Sequence, residues 1–112
     1  MTGPFTVCKH DDGDGGVRLE VGGELDHDVS EALSLILINA AEQEGVRHLV
    51  VDLAAVPFLG AAGMRSLLTG RQVALRHGRS FTVRDPQANV LQTLRAAGVA
   101  GILSPTTETA VV

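Results

Sequence analysis

The densest set of metal-binding side chains in the sequence is the acidic run Asp11, Asp12 and Asp14 within DDGDGG. Carboxylates at alternate positions open a calcium loop, which needs further oxygen donors at regular spacing and a bidentate Glu to close it. Counting from Asp12, Gly16 falls on the third ligand and Gly23 on the closing Glu, so the segment reads as a solvated hairpin turn. The histidines, at positions 10, 27, 48 and 77, form no i, i+4 pair, and no pair of cysteines completes a zinc set. No metal and no cofactor is expected. Nucleotide chemistry lacks its phosphate loop, because there is no G-x-x-x-x-G-K run and the glycines of DDGDGG lie between two strands rather than between a strand and a helix. The serines at 30, 34, 66, 80 and 104 lack the glycine-flanked elbow of a hydrolase nucleophile. Cys8, in a β-prone segment, reads as a small apolar side chain, with a redox sensor as the alternative. No enzyme chemistry is legible.

The elements that would carry these residues alternate. Residues 5–9 and 17–21 are strand-like, and the second segment alternates apolar with charged residues, so the two predict a hairpin with one wet face. Asp28 with Glu31 three residues on predicts a helix start, and the helix runs over about 29–44 until Gly45 stops it. The apolar run HLVVDL suits a central strand covered on both faces. A second helix follows over about 61–76, with Met64, Leu67, Leu68, Ala74 and Leu75 on its core side. Residues 80–84 form a strand, Asp85-Pro86 caps and opens a third helix ending at Gly98, and the tail GILSPTTETAVV holds one short strand and then SPTTE, the start of a last helix. The pattern predicts an α/β fold, a mixed central sheet of four to five strands opened by an N-terminal hairpin, with three to four helices packed on it.

With 112 residues, 45% of them hydrophobic, residues 1–112 read as one domain with an aliphatic core, since Phe5, Phe58 and Phe81 are its only aromatics. A formal charge of −4 argues against nucleic acid as a partner. No apolar stretch reaches the roughly 20 residues of a membrane-spanning helix, and the N-terminus lacks the basic start and apolar run of a signal peptide, so a cytoplasmic address is expected. Eight Arg beside one Lys is the bias of GC-rich coding and points to a bacterial source.

Two segments remain: Gly23-Glu24-Leu25-Asp26-His27 ahead of the first helix, and Val51-Asp52-Leu53 followed by Leu59-Gly60-Ala61-Ala62-Gly63-Met64. Together they resemble the STAS domain of bacterial anti-sigma factor antagonists, the SpoIIAA-like family, in which a G-E-L-D segment ends the second strand and F-x-D-S-S-G-L opens the second helix. The resemblance spans nearly the whole chain. It implies partner switching: the unphosphorylated domain binds an anti-sigma factor that is a serine kinase and frees the sigma factor, and phosphorylation of a Ser at the start of the second helix ends the binding. A helix N-terminus suits a phosphate, because its free N–H donors and partial positive charge face the anion.

This sequence departs from the pattern there. With Gly63 on the family Gly, Gly60 stands at the Asp position, Ala61 at the first Ser and Ala62 at the Ser that is normally phosphorylated. Gly60 still serves as an N-cap at a cost of about a few tenths of a kcal/mol. Three readings are open: a permanently active antagonist; phosphorylation moved to Ser66 or Thr69, which otherwise are ordinary surface hydroxyls; and a STAS scaffold or transporter- or sensor-associated subunit that needs no switch. The resemblance implies a binding surface of Asp26, His27, Gly60, Ala61, Ala62, Gly63, Met64 and Arg65, with Asp26 read either as a turn cap or as a direct contact. On the first helix Leu35 and Ile38 fall on the polar side, an exposed pair that would suit a homodimer contact. Arg71 falls on the apolar face of the second helix, as a snorkelling stem or as half of an ion pair.

Overall fold

A computed structural model describes residues 3–106. Strands β1 (Thr6–Gly13) and β2 (Gly16–Gly22) form an antiparallel hairpin, followed by α1 (His27–Glu42), β3 (His48–Ala55), α2 (Ala61–Arg76), β4 (Ser80–Arg84), α3 (Ala88–Ala96) and α4 (Ala100–Leu103). The strands make one mixed sheet in the order β1-β2-β3-β4, with β2, β3 and β4 mutually parallel. Each parallel step needs a crossover, and α1 and α2 supply them.

The sheet has two unlike faces. Val17, Leu19 and Val21 of β2, Leu49, Val51 and Leu53 of β3, and Phe81 and Val83 of β4 are buried in a common core with Leu33, Leu37, Ala40 and Ala41 of α1 and Leu67, Val73 and Ala74 of α2. The two helices pack so closely that a Cβ on Gly70 of α2 would lie 2.9 Å from Leu37 of α1. The other face carries Cys8, Glu20, Asp52 and Arg84, in register across the four strands. The apolar run HLVVDL is therefore covered by aliphatics on one side only. On the other, Val50 is half-buried, and the buried Asp52 accepts from the Arg84 guanidinium at 3.1 Å and the Ala54 amide at 2.9 Å.

Several element ends differ from expectation, each for a local reason. The cap of α1 is Asp26, not Asp28: its extended backbone lets Oδ1 accept from the Asp28 amide at 3.2 Å, and Asp28 joins the first turn, where the helix dipole favours an acid. The helix stops at Glu42, capped by Gln43, with Gly45 in the left-handed region at φ 89°. Asp85 does not cap α3. It takes φ 53°, its amide donates to the Thr106 carbonyl, and α3 starts after Gln87. The short strand expected in the tail is replaced by α4, and among the described residues of the tail only Thr106 pairs in strand fashion, with Arg84. Residues 104–106 are not helical, and the rest of the SPTTE segment lies outside the described residues. Leu75, assigned to the core, is 47% exposed, and Cys8 is exposed rather than packed. On α1, Leu35 is 57% exposed, but Ile38 packs against the core, so the two do not form an exposed pair.

Among the described residues no helix is long and apolar enough to cross a membrane, and no group of three His, Cys, Asp or Glu side chains is placed to hold a metal ion. The acidic run is structural. Asp11 accepts from the Gly13 amide at 3.0 Å, Asp12 pairs with Arg18 at 3.2 Å, and Gly13, Asp14 and Gly15 all take positive φ to turn the hairpin. The carboxylate of Asp12, hydrogen-bonded to Arg18, holds that guanidinium above its usual pKa.

Candidate functional site

The corner between the end of β2 and the start of α2 is assembled by backbone pairing. The Leu25 amide donates to the Phe58 carbonyl at 2.9 Å and the Gly60 amide to the Leu25 carbonyl at 2.8 Å, so the segments before α1 and α2 continue the parallel pairing of β2 with β3. Leu25 and Leu59 both turn inward and are buried. Gly63 sits directly against this bridge. A Cβ there would lie 2.4 Å from the Leu25 carbonyl oxygen, so only glycine lets the first turn of α2 rest on the strand end.

That close approach brings Asp26 beside Gly60. The Cβ position of Gly60 is 3.5 Å from the Asp26 Cβ. His27 and Ala61 are exposed, Arg65 stands exposed one turn further along α2, and Asp26, Gly60 and Ala62 are half-buried. Gly63 and Met64, assigned to the same surface from the sequence, are buried and face the core. Gly60 caps α2 in extended conformation with no side-chain hydrogen bond, its carbonyl receiving the Met64 amide at 3.0 Å. No side chain from Gly60 to Ala62 offers an oxygen or nitrogen at this helix start.

The hydroxyls further along α2 differ from each other. Ser66 is 2% exposed rather than a surface hydroxyl, because it lies between α1 and α2. Its oxygen is 2.8 Å from the Ser30 carbonyl and 3.2 Å from the Ala62 carbonyl, and it accepts from Ser34 at 2.8 Å. In the folded protein a kinase has no access to it. Thr69 is half-buried in a shallow groove of about 300 Å³ between the two helices, with Ser34, Ala62 and Arg65 also lining it. Arg71 is half-buried and makes no ion pair with the described residues. The sequence reading missed Phe58, which is 48% exposed beside Gly60 and Asp26. The signal was available: with Leu59 committed to the core, strand alternation turns its neighbour outward.

A family model described as "Mlab, STAS domain" matches residues 8–105. The chain belongs to the STAS domain family. Among solved structures, this STAS domain is similar to an anti-sigma factor antagonist from Mycobacterium paratuberculosis, at 26% identity over 98% of this chain and 92% of that one, with a TM-score of 0.80. It shares its fold with the anti-sigma factor antagonist SpoIIAA in its unphosphorylated form, at 17% identity over 94% and 90% of the two chains and a TM-score of 0.78. The fold also matches a sulfate transporter family protein from Wolinella succinogenes, at 18% identity over 84% and 77% and a TM-score of 0.72. The four-stranded mixed sheet with four helices is thus the STAS fold.

Proposed function

We propose that this STAS domain is an anti-sigma factor antagonist: it binds an anti-sigma factor that is a serine kinase, releases the sigma factor, and is not phosphorylated at the start of α2. It works by docking, and the reading assigns no reaction to the chain. The observation that carries it is the corner itself, where His27, Ala61 and Arg65 are exposed around a helix start that Gly63 presses against Leu25. The likeness to the mycobacterial antagonist supports the same reading. With Ala62 in place of a hydroxyl, a kinase partner finds nothing to modify there, and the domain stays in its binding form. Control then falls to the amount of protein or to the partner. A non-switching scaffold or transporter-associated subunit is the second reading, favoured by the fold shared with the Wolinella protein.

The test is to mix the purified chain with anti-sigma kinases from its source genome, ATP and Mg²⁺, and follow the mixture by size-exclusion chromatography and intact mass. A stable complex with no added phosphate is the expected outcome. An added phosphate would restore a switch and direct attention to Thr69. No complex with any candidate would sink the antagonist reading in favour of the scaffold.

A further inference from the structure

We propose that Gln87 and Asn89 of α3 are positioning residues of the docking corner: their side-chain amides clamp the loop between β3 and α2 and so hold the start of α2 where a partner meets it. The inference rests on the antagonist reading above and adds two residues that lie outside the surface it assigns. β3 runs to Ala55, but its neighbour β4 ends at Arg84, opposite Asp52. Past that pair the chain leaves the sheet, with Asp85 at φ 53° and its amide on the Thr106 carbonyl. Among the described residues no strand continues beside residues 54–57 on that side, so the carbonyls that face it need other donors.

The first residues of α3 supply them. The Gln87 side chain donates to the Ala54 carbonyl at 2.9 Å and the Asn89 side chain to the Pro57 carbonyl at 2.7 Å. On the β2 side the Gly23 amide donates to the Ala55 carbonyl at 3.1 Å and the Leu25 amide to the Phe58 carbonyl at 2.9 Å. The loop is thus gripped from both flanks. Gln87 stands at the cap of α3 in extended conformation, yet its side chain makes no capping bond and turns to the loop instead. At the far end of the loop Gly60 caps α2 with no side-chain bond of its own. A helix start without a side-chain cap depends on whatever holds the residues ahead of it, and here that is the loop. Gln87 and Asn89 are both exposed, so truncating them removes a hydrogen bond without opening a cavity in the core.

The test uses the full chain, with amide hydrogen exchange on every variant and, for a kinase that binds the wild type, affinities from calorimetry without ATP. The double variant Gln87→Ala/Asn89→Ala is expected to speed exchange at the Leu25 and Gly60 amides about tenfold and to raise Kd about threefold, with exchange at Leu49 and Val51 unchanged. Asn89→Asp separates the clamp from the helix. A carboxylate in the first turn favours α3 but offers the Pro57 carbonyl no donor, so exchange at Gly60 is expected to speed all the same. Thr93→Ala, which truncates an exposed hydroxyl one turn further along α3 that donates to the Asn89 carbonyl, is expected to match the wild type. Wild-type exchange in the double variant or in Asn89→Asp overturns the clamp, and so does an equal effect from Thr93→Ala. Faster exchange with an unchanged Kd overturns its part in docking and leaves the antagonist reading standing. A wild-type chain that binds no kinase sinks the antagonist reading and the docking role with it, whereas the exchange rates still decide whether the loop is clamped.

Discussion

Asp52 shows how a single acid can be tolerated inside a strand. Its side chain is 10% exposed, yet one oxygen meets the Arg84 guanidinium and the other the Ala54 amide, so the charge is both paired and hydrogen-bonded. Asp52→Ala is expected to lower unfolding free energy by about 2–3 kcal/mol, because the carboxylate is taken from beneath a largely buried guanidinium. Asp52→Asn keeps an acceptor for Ala54 and should cost about half as much, a graded pair that urea titration resolves. Ser66 poses the same problem without charge. Ser66→Ala removes the hydroxyl that joins Ser30 and Ala62 across the helix interface and should cost about 1 kcal/mol in the same titration, with no change in phosphate uptake, since the residue is buried.

At the scale of elements, the decisive contact is α2 against the end of β2. Gly63→Ala would set a methyl 2.4 Å from the Leu25 carbonyl oxygen, a backbone atom that can yield only by moving the strand end. The expected loss is about 2–3 kcal/mol in thermal or urea unfolding, with weaker partner binding in the fraction that remains folded, because the first turn of α2 must lift away from Asp26. The elements themselves were legible in the sequence: α2 spans Ala61–Arg76 and β4 Ser80–Arg84, as hydrophobic periodicity and flanking glycines imply. What the sequence hid were choices between equivalent residues. Asp26 and Asp28 are both good caps, and the extended backbone at 26 decides for the first. In the tail, Ile102 and Leu103 are as compatible with a strand as with one helical turn, and only packing selects the helix. For Ser66, helix periodicity gives its angle around α2 but not how close α1 lies to it.

For the molecule as a whole, the sheet is the stable unit, and its inner strands differ from its edges. β2 and β3 are each paired on both sides, whereas among the described residues β1 has one neighbour and β4 has β3 with the Thr106 bridge on its other side. Amide hydrogen exchange is expected to be slowest at Leu19, Leu49 and Val51 and faster by at least tenfold along β1, whose residues are mostly exposed. Equal protection across all four strands would mean that the sheet opens only as one unit.

The hairpin turn at residues 13–15 has a further consequence. It is exposed at its tip, rich in glycine, and looks like a place where the chain could be lengthened at no cost. Yet the Gly15 carbonyl receives two amides from the start of β3, Arg47 at 2.7 Å and His48 at 3.1 Å, so the turn is the peg from which the parallel register of β3 is measured. An insertion at this tip would shift the peg and risk sending Leu49, Val51 and Leu53 to the wrong side of the sheet. A tag or a new chain terminus belongs instead beside Gly78, where α2 has already ended, with Gly78 itself kept because its φ of 71° strains any side chain.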